Sequence, residues 1–263
     1  PAHKEIPMAT TLSRTLAEWA CSLKYEDLTP EAIDFAKRFL YDSLGCAFGG
    51  ARTPDCRIVE QYVAEKGSRQ ECTVWASGLK TEPVDAAFLN ALMIRAMDYN
   101  DIYWKADPSH PSDIIPAAST LCEWWGLSGR DLLLGIVLAY EIEMRLCEFA
   151  RPGIRERGWH HATLTAFASP LVAGRMLGLD PDRMQHALGI SACKHLTLGA
   201  AVAGKLTMMK NTVDPMATRS GVEAALLARL GYTGPENVLD GKEGMFHCLG
   251  PDWDPDRLVG GLG

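Results

Sequence analysis

Between positions 98 and 113 the chain reads Asp-Tyr-Asn-Asp-Ile-Tyr-Trp-Lys-Ala-Asp-Pro-Ser-His-Pro-Ser-Asp, four aspartates and a histidine within sixteen residues. Pro108 and Pro111 bar a helix from running through the stretch, because proline lacks an N–H and disfavours helical geometry in the residue before it. His110, held between them, is therefore a loop histidine, a type that gives and takes protons near neutral pH. Asp98 falls where the preceding helix should end, near Met97. A carboxylate there opposes the helix dipole unless a cation compensates it. Asn100, Asp101 and Ser109 add polar groups for a bound substrate. Ser112 or Asp113 is expected to cap the next helix, and Asp101 a turn.

Two other stretches are similarly equipped. Arg151-Pro-Gly-Ile-Arg-Glu-Arg-Gly-Trp-His-His161 brings three arginines and two adjacent histidines to the front of a small-residue segment, Ala162 to Leu177. Neighbouring side chains diverge, so at most one of His160 and His161 is expected to face a given pocket. A metal site wants histidines one helical turn apart, or further Cys, Asp or Glu ligands nearby. Neither pattern is present, and no metal is expected. In the third stretch, Ala200-Ala-Val-Ala-Gly-Lys-Leu-Thr-Met-Met-Lys210, Lys210 stands just before a helix whose first half is small (Ala217, Gly221, Ala224, Ala225). Those small residues either let helices approach or leave room for a ligand. The Lys210 ammonium suits an anion held at the helix start, and Lys205 is a second cation for a bound acid.

Helices must position these groups. Thr29-Pro30-Glu31 is a helix start. Ile33, Ala36, Leu40 and Leu44 follow at helical spacing, and Gly49-Gly50 ends the run. Asp180-Pro181 repeats the start signal. Ser128 opens a run through Leu132, Ile136, Ala139, Ile142 and Leu146, and Met216 to Leu230 is stopped by Gly231. Further helices are expected over 10–23, 54–66 and 83–97, with the chain on either side of the first stretch reading as amphipathic helix. Only Cys72-Thr-Val-Trp75 looks like a strand, and no strand–glycine loop–helix unit argues for a doubly wound sheet. The reading is an all-α fold, a single domain over 1–263, with connections at 100–112, 151–160 and 200–213.

Bulk properties narrow the partners. A chain of 263 residues can bury a sizeable core, and 47% apolar with 22% charged residues is ordinary for a globular protein. A net charge of -7 argues against nucleic acid or a membrane surface as partner. No apolar run reaches membrane-spanning length, and no signal peptide opens the chain. The eight cysteines are scattered without a CxxC pair, which favours buried thiols in a reducing cytoplasm over a zinc ribbon or disulfide scaffold.

Three blocks carry a resemblance. Met97-Asp98-Tyr99-Asn100-Asp101 with His110-Pro111-Ser112-Asp113 is the first. Trp159-His160-His161 before Ala168-Ser169-Pro-Leu-Val-Ala-Gly174-Arg-Met-Leu-Gly-Leu179 is the second. Met209-Lys210 before Arg219-Ser-Gly221-Val-Glu-Ala-Ala-Leu-Leu-Ala-Arg-Leu-Gly231-Tyr-Thr-Gly-Pro235 is the third. In order, along essentially the whole chain, they resemble the N-terminal helical part of the MmgE/PrpD family. The resemblance implies a large all-α domain, a homodimer, no metal or organic cofactor, and a cleft between this domain and a smaller α+β lid that follows it. Carried over position by position, it implies a polar site at Asp98, His110, His161 and Lys210. His160 takes the place of His161 if the alignment of that pair slips by one.

Two departures from the family pattern stand out. Ile102 occupies a position where relatives often have threonine, and an aliphatic side chain cannot make the hydroxyl's hydrogen bond. The chain also reaches Leu258-Val-Gly-Gly-Leu-Gly263 about where the lid should begin, so the chain is read as truncated or its lid as supplied by another polypeptide. The implied activity is a cofactor-independent lyase acting on a small di- or tricarboxylic acid. The first choice is water elimination of the 2-methylcitrate dehydratase kind. His110 and His161 would share the proton transfers, Asp98 would orient a histidine or act as base itself, and Lys210 would hold a carboxylate. The alternatives are decarboxylation or epimerisation of a similar acid, and a helical subunit that is non-catalytic or half of a two-chain enzyme.

Overall fold

The computed structural model describes residues 10–250 and 252–262. Its helices are α1 (Leu12–Ser22), α2 (Pro30–Gly50), α3 (Pro54–Lys66), α4 (Pro83–Arg95), α5 (Ile115–Trp125), α6 (Gly129–Phe149), α7 (Ala162–Met176), α8 (Pro181–Lys194), α9 (Met209–Arg229), α10 (Met245–Leu249) and α11 (Pro255–Val259). Two short antiparallel pairs join β1 (Cys72–Thr73) to β2 (Lys80–Thr81) and β3 (Tyr103–Trp104) to β4 (Pro108–Ser109). The fold is all-α, as the sequence implied.

The helix starts are the ones the sequence announces. Thr11, Thr29, Ser128 and Asp180 accept hydrogen bonds from backbone N–H groups of the first turns of α1, α2, α6 and α8. Proline occupies the first turn of α2, α3, α4 and α8, where its missing N–H costs nothing.

The helix bounds follow the sequence in part. Helix α2 ends at Gly50, as the glycine pair implied. A Cβ on Gly50 would lie 2.0 Å from the Met93 carbonyl oxygen, so this glycine lets α2 cross tightly over α4. Helix α9 begins at Met209 rather than 216 and carries Pro215 inside it. Helix α4 is buried on every face rather than amphipathic, and α7, the small-residue segment, is buried on nearly every face. They are core elements, mostly apolar on every face for that reason, with Asp85, Asn90 and Arg95 of α4 buried among them.

Helix α9 occupies the centre, packed against α7, α4 and α8, while α2 covers α4 and α6 covers α7. A Cβ on Gly221 would sit 2.2 Å from Ser169 Oγ and 2.7 Å from the Pro170 nitrogen. The small residues of α9 therefore serve close approach to α7, not ligand space. The Cys72 segment forms a strand as expected, but β3 and β4 were not foreseen. Two residues each, with a proline in β4, they are too short to leave an alternating pattern.

Candidate active site

A cleft of about 730 Å³ opens where the three chemistry-rich stretches meet. Asp98, His110, His160, His161 and Lys210 line it, together with Arg95, Arg155, Ile102 and Trp104. The proposed quartet of Asp98, His110, His161 and Lys210 therefore shares one wall system, although its members come from α4, the β4 loop, the start of α7 and the start of α9.

Local structure explains how each is placed. Asp98 follows the end of α4 with a left-handed backbone, φ 54°, a conformation aspartate tolerates better than most residues. It turns the chain out of the helix, and its carboxylate is held by Arg95 and by Lys210. The dipole penalty foreseen for a carboxylate at this helix end is met by these two cations. They also hold its carboxyl down at about 2, against the opposing effect of partial burial.

The other three aspartates of the first stretch brace the loop. Asp101 accepts from Ser112 Oγ and from Tyr140 Oη at 2.7 Å. Asp107 accepts the N–H groups of Ile154 at 2.8 Å and Arg155 at 3.1 Å, which staples the first connection to the second. Asp113 is fully buried and takes Asn100 Nδ2 at 3.2 Å. Burial and the nearby Asp214 carboxylate push the Asp113 carboxyl well up, against the opposing pull of Arg95.

Ser112 and Asp113 thus do not cap α5. They belong to a 3-10 turn, Pro111–Ile114, and their side chains face inward. Asn100, Asp101 and Ser109 stand behind the cleft wall rather than lining it. Ser109 donates to Glu143, which Thr165 also contacts at 2.8 Å. Lys205 is exposed and is not part of the lining.

The histidines differ from one another in a way their spacing does not reveal. His110 Nδ1 hydrogen-bonds the Asp101 carbonyl, which can only accept. Its proton is therefore on Nδ1, and Nε2 is the free nitrogen. Burial first, and then the Arg95 charge, lower its pKa to about 4. His160 and His161 both line the cleft, against the expectation that adjacent side chains would diverge, with ring centroids 3.9 Å apart. The turn into α7 brings them together: the His160 N–H donates to the Thr197 carbonyl at 2.8 Å, and His161 takes the N-cap position. The His161 ring is also 5.4 Å from that of His110.

Sequence reasoning missed Arg95 and Asp214. Arg95 is 3% exposed and faces three carboxylates: Asp98, Asp113 with Oδ2 at 3.7 Å, and Asp214 with Oδ2 at 3.8 Å. A lone arginine in the apolar run Ala86 to Met97 was the available signal, since a buried guanidinium demands partners. Asp214 lies inside α9 with Oδ1 3.4 Å from His161 Nε2. Burial alone would raise its carboxyl, but His161, His160 and Arg95 outweigh that and hold it well below the ordinary range. One ring nitrogen from each of His160 and His161 and an Asp214 oxygen lie within 4.8 Å of one another. The further carboxylate that the histidine pair lacked along the chain is thus supplied from another helix.

The all-α wall thus bears paired histidines, a caged carboxylate and three cations, groups suited to acid–base chemistry on a small anion. The chain belongs to the MmgE/PrpD family: the model of the MmgE/PrpD N-terminal domain matches residues 14–258. It is 32% identical over 259 residues to cis-aconitate decarboxylase of Homo sapiens, covering 95% of this chain and 53% of that protein. Cis-aconitate decarboxylase of Aspergillus terreus is 31% identical over 265 residues, 94% of this chain and 53% of that one. 2-Methylcitrate dehydratase of Salmonella typhi is 28% identical over 241 residues, 86% and 49%. The chain spans about half the length of the curated relatives it matches. No helix among the described residues is long and apolar enough to cross a membrane.

Proposed function

We propose that this domain forms the helical wall of a lyase site for a small di- or tricarboxylic acid. The observation that carries the reading is the convergence of Asp98, His110, His161 and Lys210 on one cleft, with Arg95 and Arg155 beside them. Arg155 and Lys210 offer cations to substrate carboxylates. Arg95 is buried and acts through Asp98, which it and Lys210 cage. A carboxyl held at about 2 is a weak base, and its partners are cations, not a ring nitrogen. Asp98 is therefore assigned to aiming Lys210 rather than to orienting a histidine.

Elimination of water follows from these groups. A substrate proton next to a carboxylate moves to His110 Nε2, and the C–H electron pair becomes the new double bond. The C–O bond breaks, and the hydroxyl leaves as water with a proton from protonated His161. Lys210 neutralises the carboxylate on which charge builds. The first reading remains water elimination from a 2-methylcitrate-like hydroxy acid. Decarboxylation is the second, favoured because relatives named cis-aconitate decarboxylase are 31% and 32% identical and the dehydratase 28%. There a C–C bond breaks, carbon dioxide leaves, and one histidine protonates the remaining carbon.

Exposed Ile102, Trp104, Leu198, Leu206 and Met208 around or near the cleft suit cover by further polypeptide. A homodimer and a reducing compartment also belong to this reading. NMR turnover assays with 2-methylcitrate, citrate and cis-aconitate, with and without a lid-bearing partner, separate the reactions. His110→Ala and Lys210→Ala should each abolish or sharply reduce turnover. Full activity in both variants would refute the assigned roles.

A further inference from the structure

Four buried polar atoms at the floor of the cleft have no hydrogen-bond partner: His160 Nε2, His161 Nε2 and both carboxylate oxygens of Asp214. Leaving such atoms unpaired is costly, so their grouping calls for a physical reason. Two arrangements would satisfy them. A cation would use both nitrogens as lone-pair donors. Alternatively, the rings would turn N–H groups onto the carboxylate.

The surroundings of His160 decide between the two. The Ala162 N–H donates to His160 Nδ1 at 3.1 Å, so Nδ1 is the acceptor and the ring proton lies on Nε2. A protonated Nε2 cannot ligate a metal. Burial, the largest influence on this ring, lowers its pKa to about 4 and keeps it neutral at physiological pH. His161 offers the Asp214 carboxylate its Nε2 at 3.4 Å, which leaves Nδ1 as the nitrogen available to the cleft.

We infer that Asp214 is a positioning residue that takes the Nε2–H of His161, while His160 keeps its ring proton on Nε2, so that of this adjacent pair only His161, through Nδ1, exchanges a proton with substrate. His160 is held through Nδ1 by the Ala162 N–H, and its ring, 3.9 Å from that of His161, braces its neighbour. The logic is that of any carboxylate that fixes a catalytic imidazole's tautomer and supplies the counter-charge when the ring is protonated. This inference rests on the lyase reading for its catalytic consequence, but not for the tautomers themselves.

Long-range proton–nitrogen NMR on uniformly ¹⁵N-labelled chain reads the tautomers without any substrate. His160→Gln and His161→Gln assign the two rings by loss of signal. In the unsubstituted chain, at a pH where each ring is neutral, both should carry the proton on Nε2. A neutral His161 or His160 protonated on Nδ1 overturns the inference, whatever the activity. Added Zn²⁺ that shifts both rings and protects the fold would also overturn it in favour of a metal site. In the lid-complete protein, Asp214→Asn should lower kcat about 100-fold on whichever of cis-aconitate or 2-methylcitrate is turned over. KM should move less than about threefold, and Asp214→Glu should restore part of the rate. Equal loss in both variants with KM raised in parallel would reduce Asp214 to a structural role. If neither acid is turned over but the tautomers are as stated, the lyase reading fails and the positioning of the rings stands.

Discussion

Asp98, just beyond the carboxyl end of α4, is ion-paired with Lys210 in the first turn of α9. The pair closes one side of the cleft and is also anchored from below, because Arg95 holds the other oxygen of the same carboxylate. Lysine is thereby aimed by an anion that is itself fixed, which reduces the side-chain freedom lost when a substrate carboxylate arrives.

Lys210→Met should therefore weaken substrate binding far more than it weakens the fold. The Asp98 side chain is 50% exposed, so the pair contributes at most about 1 kcal/mol to stability. Calorimetric titration with cis-aconitate or 2-methylcitrate should show roughly tenfold or greater loss of affinity, as expected for removing a charge-assisted contact. A large fall in unfolding free energy with unchanged affinity would contradict this.

Arg95→Met should do the reverse. Its guanidinium is buried among Asp98, Asp113 and Asp214. Removing one member of a buried charged group leaves the others uncompensated and costs about 3–5 kcal/mol. Urea unfolding measures the loss. A change below about 1 kcal/mol would mean that water already screens these carboxylates.

Acid should destabilise the protein through its histidines. His110 and His160 have folded-state pKa values lowered to about 4, burial being the main cause in both. A depressed folded value means the unfolded chain binds the proton more tightly. The stability from keeping these rings neutral is thus present above pH 6.5 and is lost as pH falls from 6.5 toward 4. Each ring accounts for on the order of 3 kcal/mol across that window. Unfolding free energies measured from pH 7.5 to 4 should fall steeply, and His160→Gln should flatten part of the slope. An unchanged slope in that variant would remove His160 from the account.

Gly221→Ala should be harmful despite alanine's better helix propensity. The added methyl would meet Ser169 Oγ and the Pro170 nitrogen, and the latter is backbone that cannot swing aside. Overpacking of this kind typically costs 1–3 kcal/mol, which outweighs the roughly 1 kcal/mol that alanine gains over glycine in a helix. Thermal unfolding should show a lower melting temperature. A rise would mean that α7 and α9 can separate at little cost.

Much of this protein was legible along the chain. Caps such as Thr29 and Ser128 and first-turn prolines such as Pro181 mark helix starts through purely local hydrogen bonding. Proline likewise identifies His110 as a loop residue, and the crowding of titratable groups in three connections points to a site. Tertiary structure alone decided the rest. That His160 and His161 share a cleft, that Arg95 is its buried cation and Asp214 its hidden carboxylate, follows from α4, α7 and α9 meeting at the centre of the fold. Local sequence specifies which backbone groups are satisfied nearby. Which distant charges must neutralise one another depends on packing, because a buried charge takes its partner from whatever helix lies against it.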